Sequence, residues 1–544
     1  MSNKENEKAK DNPDELTIGK AAQTSRGEIF CEVVRGTRRL WIPVAELASD
    51  EKAVFCRISE CVAPILTVSN RNALKKKIEA ISEFENALVA TQPGWVMPNV
   101  YVHPNGDVQS PDSFDQEVIA TFEKDNCWGE RGSFRKWKEA LESTVSDNVF
   151  AQFLLNFGFT GPLIAKSPPN LLNPAIELVG PREIGKSTIA TMVTSIYGGN
   201  KASEIGLGRS ANLTKQALKP LQRTSADALL FLDELNLVDG SVENNLHLVF
   251  EHASSDERAR YGDTARKKPV RNSLIMTGNR ALADRCGASS EVIEAARSRF
   301  ISLRFDGPIL TRIPAKFKTS REAAEFLKAR VRRHHGTAIG EFIGSLLKEC
   351  EESDAAIRRR IKELMGTFRD RVPAEQIVSQ RIVDMFALTY AAGVLVQEWR
   401  IVPKSFLDPM ASTLAVYKHA LEFEGIPPQG SYESPSIQRI RQILHKNRKR
   451  IKSVATTDRP KPLPQIHRTF GYRIQRTDGS EHFFLEPSRL KTALGTHATS
   501  TLKTLRAEGV LIGEAGAHKK LQSKAPLYVG FTGRVYKIVL SPRT

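Results

Sequence analysis

Hydrophobic spacing along the chain changes character twice, and each change marks a different kind of structure. From about residue 165 to 312 the apolar residues come in short unbroken runs such as IELV, ALLFL and SLIM, each passing into a loop and then a helical stretch. Strands buried on both faces of a parallel sheet have that pattern, so an α/β core is predicted over 161–317. From 318 the spacing turns helical, as in REAAEFLKARVRRHH and AAIRRRIKELMGTFRDRV, which predicts a helical domain over 318–426. Upstream, residues 27–160 mix short strand-like runs (IFCEVV, LWIPVA) with an amphipathic stretch near Asn72 to Leu88, an α+β pattern. Within it YVHPNGDV, Tyr101 to Val108, predicts a hairpin whose Asn105-Gly106 pair takes the positive φ angles of a tight turn. The first 26 residues are polar, lack the apolar stretch of a secretory signal and read as a disordered tail. PPQGSYESP at 427–435 is rich in turn formers and reads as a linker to a last segment, 436–544.

The α/β core carries the chemistry. Ile176-Glu177-Leu178-Val179 leads into GPREIGKST, Gly180 to Thr188, which fits G-x-x-x-x-G-K-[ST], and TIATMVTSIYG continues as a helix. Gly180 and Gly185 free the backbone through Pro181, Arg182, Glu183 and Ile184 to wrap phosphates with N–H groups. Lys186 is the residue type that reaches β and γ oxygens, and Ser187, followed by Thr188, the type that ligates Mg²⁺. Downstream, Ala228-Leu-Leu-Phe-Leu-Asp-Glu ends an apolar strand in two carboxylates. Asp233 suits a hold on Mg²⁺ through water and Glu234 the activation of an attacking water. An apolar run ending in Asp-Glu is weak by itself and gains its weight from the phosphate loop before it.

A third strand, SLIMTGN, ends at Asn279, where strand tips gather around a γ-phosphate; a plain turn asparagine is the alternative. In EAARSRFISLRF, Arg297 and Arg299 precede a further strand. In ring ATPases, which this order of motifs resembles, an arginine at this point crosses to the neighbouring subunit and neutralises transition-state charge, a role that would fall to either, with Arg299 favoured; a surface ion pair is the alternative.

A formal net charge of +17 moves attention to the other end of the chain. Residues 436–544 hold 22 Lys and Arg against 6 Asp and Glu, nearly the whole excess, which predicts a polyanionic partner. PSRLKTALG and ATSTLKTLRAE give two short helices joined by a turn, and VLIG and LYVGFTGRVYKIVL two strands around a lysine-bearing wing. That order predicts a winged helix with Lys503 and Arg506 on or near the groove-facing helix and Lys519 and Lys520 on the wing; the same fold used for protein contact is the alternative. Six scattered cysteines, of which only Cys56 and Cys61 lie close, give no zinc framework and suggest reduced thiols in the cytoplasm. No run approaches the ~18 apolar residues that span a bilayer, so no membrane partner is expected. Neither a polymerase or primase carboxylate cluster nor a nucleophilic-serine elbow stands out, so no second chemistry is predicted.

Taken in order and spacing, GPREIGKST, LLFLDE, SLIMTGN and RSRF resemble the AAA+ superfamily of P-loop ATPases. More narrowly, from about Cys31 to the C-terminus, including Pro93-Gly94-Trp95 and GNRALAD, the chain is similar to the domain-of-unknown-function-927 family of mobile-element proteins, which itself resembles MCM-like and superfamily 3 replicative helicases. The resemblance implies ATP and Mg²⁺, an AAA+ core with a helical lid, and a homo-oligomeric ring, usually of six subunits. It implies a sensor role for Asn279, where many relatives carry an acidic residue after Thr-Gly. It also implies a channel hairpin just before that strand, with Arg266, Lys267 and Lys268 as its DNA-gripping residues. The expectation is an ATP-dependent helicase of a bacterial mobile element or phage, acting in replication on single-stranded DNA or a forked duplex with partner proteins. The rivals are an ATPase that remodels or loads proteins on DNA or serves in defence, and a nucleotide-gated DNA-binding regulator.

Overall fold

A strand opens the described chain where a disordered tail was expected. In the computed structural model the described residues are 16–63, 66–200, 203, 205–211, 215–234, 250, 252–253, 270–282, 295, 297–377, 379–424, 435–454, 469–476, 480–495, 498–507, 509–513, 521–525 and 533–540. They fall into two units, Met1–Val372 with Gln380–Ala420, and Pro373–Ser379 with Leu421–Thr544. Strand β1 (Thr17–Thr24) lies in the middle of a five-stranded sheet. It runs antiparallel to β2 (Ile29–Arg35), which pairs with β3 (Arg38–Pro43), and parallel to β4 (Glu85–Ala90). The polar composition of 17–24 misled because Lys20 spends its charge on Glu85 and Glu117 while Ala22 is fully buried. Helices Glu51–Cys61 and Val68–Glu79 cover one face of this sheet, setting Val54, Phe55, Ile58, Leu74 and Ile78 on Cys31, Val33 and Ile42.

A small meander follows, of β5 (Gly94–Met97), β6 (Val100–Val102) and β7 (Val108–Gln109), before β8 (Glu117–Ala120) completes the first sheet beside β4. The predicted hairpin joins β6 and β7 with a wider loop, closed by His103 N–H on Asp107 O at 2.8 Å. Gly106 takes a positive φ of 90°, whereas Asn105 does not. Its side-chain carbonyl accepts instead from Asp107 N at 3.1 Å, an Asx turn that fixes the loop without a left-handed asparagine.

The core sheet is wholly parallel, with β9 (Ala175–Val179), β10 (Arg209–Ser210), β11 (Ala228–Asp233), β12 (Asn272–Gly278) and β13 (Ile301–Arg304) in the order β10-β11-β12-β9-β13. Strands β9, β11 and β12 are buried at every residue, as strands covered on both faces must be. Helices Phe134–Val145, Val149–Gly158 and Thr160–Ile164 precede the sheet. Val149–Gly158 packs on the helix Lys186–Thr194, and Thr160–Ile164 on β11 and β12. The boundary expected at 160/161 thus falls inside a packed layer, because VFAQFLLNFG, apolar but for Gln152 and Asn156, is buried from Ala151 to Gly158.

Beyond the sheet, Ser320–Arg333 packs on Phe134–Val145 and on Lys186–Thr194, and Gln380–Glu398 packs on Val149–Gly158. The second unit sets helices Pro435–Lys446, Pro487–Leu494 and Ala498–Ala507 against a sheet of β14 (Ile451–Ser453), β15 (Gly471–Gln475), β16 (Glu481–Leu485), β17 (Leu511–Ile512), β18 (Ser523–Lys524) and β19 (Arg534–Leu540). Ile440, Phe483, Leu485, Leu490, Leu502, Leu505, Tyr536 and Ile538 form its core. Of the expected linker at 427–435, all but Pro435 lies outside the described residues. No helix among the described residues is long and apolar enough to cross a membrane.

Candidate nucleotide-binding site

Strand β9 stops at Val179 and the next helix begins at Lys186, so six residues must turn the chain from strand to helix. Two left-handed residues do this, Glu183 (φ 64°) and Gly185 (φ 94°), the latter capping the helix. The loop is held from outside. Gly180 N donates to Gly278 O at 3.2 Å and Ile309 N to Ile184 O at 3.0 Å. A Cβ at Gly180 would lie 2.4 Å from Phe305 O, so only glycine fits beside that strand end. Pro181, Arg182 and Glu183 are exposed, Ile184 is buried, and Ser187 and Thr188 are half-buried in the first helical turn. A helix N-terminus behind such a loop is an anion site by geometry.

Lys186 is buried, and its ammonium donates to Gly180 O at 2.9 Å and Pro181 O at 2.6 Å, with Asn279 Oδ1 at 3.5 Å. Burial pushes its pKa below the ordinary lysine value while the Asp233 carboxylate pulls the other way. Asp233, also buried, accepts from Ser187 Oγ at 2.9 Å and from Thr277 Oγ1 on the same oxygen. Glu234 follows with a left-handed backbone (φ 58°), its N–H on Thr277 Oγ1 at 3.1 Å and its carboxylate exposed. Asn279 is half-buried at the tip of β12, between the loop strand and the acidic strand. Hydroxyl and carboxylate oxygens 2.9 Å apart, Ser187 and Asp233, are the hard ligands that Mg²⁺ takes.

The structure therefore brings together Gly180 to Thr188, Asp233, Glu234 and Asn279. Arg299 is not part of that cluster: its guanidinium donates to Ala295 O at 2.6 Å and lies 4.8 Å above the Phe250 ring. Burial and the nearby Arg381 both push its pKa down. Arg297 is half-buried beside it. Arg266, Lys267, Lys268, Lys519 and Lys520 lie outside the described residues. On the helix Ala498–Ala507 of the second unit, Lys503 is exposed and Arg506 half-buried.

Sequence reasoning missed two side chains at the site. Thr277 bridges the acidic pair, one hydroxyl serving both Asp233 and the Glu234 backbone. Glu177, fully buried within the loop strand, accepts from Leu282 N with both oxygens (2.9 and 3.1 Å) and from Ser302 Oγ at 2.9 Å. It ties β9 to the turn after Asn279 and to β13. A carboxylate inside the apolar run IELV was the signal that could have found it.

Residues 30–269 match the family described as Domain of unknown function (DUF927). The match ends before β12, so it takes in the phosphate loop and the acidic pair but not Asn279 or Arg299. Among solved structures, one described as SCCmec type IV Cch, an active helicase, superposes with a TM-score of 0.57 at 14% identity, covering 97% of this chain and 93% of that one. A second, the C-terminal region of NrS-1, covers 63% of this chain and 73% of that one at 12% identity, with a TM-score of 0.25 that carries no structural weight. No curated protein matches the chain.

Proposed function

We propose, with the DUF927 match as premise, that this chain is an AAA+ ATPase that moves on DNA: a replicative helicase of a bacterial mobile element or phage. The observation that carries the ATPase reading is the knot of Ser187, Asp233, Thr277 and Glu234 beside a glycine-turned phosphate loop, with Asp233 and Thr277 on adjacent parallel strands. Lys186, now on loop carbonyls, would exchange them for β and γ oxygens of ATP. Ser187 and Asp233 would hold Mg²⁺, which when bound neutralises phosphate charge. Glu234 would take the proton of the attacking water, and Asn279 would orient that water. Arg299, or Arg297, would serve the nucleotide of a neighbouring subunit in a ring of six. The helices 320–424 would act as the lid, the second unit as a winged helix reaching DNA through Lys503 and Arg506, and Arg266, Lys267 and Lys268 as the channel grip. The fold shared with a structure described as an active helicase favours unwinding over protein remodelling.

ATP hydrolysis and displacement of a strand from a forked duplex, measured together, test this. Wild type should do both and Lys186→Ala neither. Hydrolysis without displacement would leave the ATPase standing and hand the lead to the remodeller; absence of both from wild type would end the reading.

A further inference from the structure

The helix Pro435–Lys446 buries Ile440, Ile443 and Leu444 and then stops, and the chain makes one 3₁₀ turn, Arg448–Arg450, before entering β14. From Ser436 to Val454 there are seven Lys and Arg and no Asp or Glu. Five of these, Lys446, Arg448, Lys449, Arg450 and Lys452, are exposed within seven positions. None of the five forms an ion pair among the described residues, whereas Arg473 on the adjacent strand pairs with Glu481.

The backbone beneath them is fixed. Asn447 Nδ2 caps Ile443 O at 2.9 Å, Arg450 N donates to Asn447 O at 2.8 Å, and Phe470 N donates to Arg450 O at 2.8 Å. Val454 N bonds Arg473 O at 2.9 Å, closing the strand that follows. A rigid turn thus presents a cluster of exposed like charges, an arrangement that an anion spread over the same length would stabilise. Edge protection explains part of it: β14 is the outer strand of its sheet, and a lysine such as Lys452 keeps other strands off. It does not explain Arg448, Lys449 and Arg450, which come before the strand. In a 3₁₀ turn three successive side chains point in three directions, so they would reach separate phosphates. Arginine forks fit phosphate oxygens in pairs.

We propose that the turn and edge strand 446–452 grip the phosphate backbone of nucleic acid without reading its sequence. This deepens the DNA-motor reading and rests on it. The edge strand is distinct from the expected groove helix, although the helix Pro435–Lys446 that leads to the turn itself packs on Ala498–Ala507. The sheet order runs β14-β15-β16-β19-β17, and Ala498–Ala507 also packs beside β17, four strands from β14. A duplex could be held at two places, or a duplex at one and a separated strand at the other.

The test is the salt dependence of binding by the full chain to a blunt duplex and to an oligothymidine. The variant combines Arg448→Gln, Lys449→Gln, Arg450→Gln and Lys452→Gln, with Lys503→Gln as the comparison. Each phosphate contact contributes about 0.9 to the slope of log affinity against log salt on duplex and about 0.7 on single strands. The fourfold variant should therefore lose about 3 to 4 from the duplex slope and about 3 from the single-strand slope, while DNA-independent ATP hydrolysis stays as in wild type. Lys449→Gln and Lys452→Gln alone, each at an exposed position, should each lose about one contact even if the fourfold variant folds poorly. Wild-type binding with slopes unchanged in all three variants would overturn the proposal and leave the motor reading intact. No binding by wild type at low salt would overturn both.

Discussion

A buried aspartate stands just before strand β11 and another ends it, and the two have different partners. Just before its start, Asp227 has a left-handed backbone (φ 50°). Arg271 forks onto both carboxylate oxygens at 2.7 and 3.0 Å, Trp95 N donates at 2.9 Å, and Tyr101 OH donates to the Asp227 carbonyl at 3.1 Å. Gly94 sits so close that a Cβ there would be 2.5 Å from Asp227 Oδ2. At the other end Asp233 is also buried, but its partners are the hydroxyls of Ser187 and Thr277. A guanidinium cancels the aspartate's charge permanently; hydroxyls leave most of it for a cation to claim. Burial alone therefore does not mark a functional carboxylate, and the chemistry of its partners does.

The sharpest way to separate the two ends is Glu234→Gln. Turnover should fall by about 10² to 10⁴-fold, the usual contribution of a positioned base, with thermal stability unchanged. At the closed end, Asp227→Asn breaks a buried ion pair, and denaturant unfolding should show a loss of about 3–5 kcal/mol with turnover per folded molecule retained. Collapse of turnover in a still-folded Asp227 variant would erase the distinction between the ends. The smallest effect belongs to Thr277→Val, which keeps the shape but removes the hydroxyl between Asp233 and Glu234 N. Hydrogen bonds to a charged group contribute about 1.5–3 kcal/mol, and the share of that support given in the transition state sets the drop in turnover at saturating ATP, at most about 150-fold.

These two ends also measure what the sequence could tell. The open end was legible because phosphate chemistry demands fixed types at fixed spacing: glycine at 180 and 185, lysine at 186, carboxylates at 233 and 234. The closed end was not, because Asp227, Arg271 and Trp95 meet only through folding, from parts of the chain with no common motif. Pro93-Gly94-Trp95 stood out as part of a resemblance, and its physical reason is the close approach to Asp227. The parallel core followed from unbroken apolar runs. The strand at Thr17–Thr24 did not, because TIGKAAQT has too few apolar residues to look like a strand until its neighbours supply the pairing. Arg299 stands out only by its position in a pattern, and its contact with Phe250 is a packing outcome no spacing encodes.

The sheet order has a consequence during synthesis. The phosphate-loop strand β9 has β12 on one side and β13 on the other, and Ile301 pairs with Ile176 about 125 residues earlier in the chain. At translation rates of about 5–20 residues per second, β9 would wait roughly 6 to 25 s for its second neighbour. Both of its edges are open until β12 is made and one stays open until β13 follows, in a strand whose five residues are all destined for burial. The phosphate loop is thus the earliest part of the site to be made and among the last to be secured. A chain cut at residue 269, where the family match stops, would lack both neighbours of its own nucleotide loop.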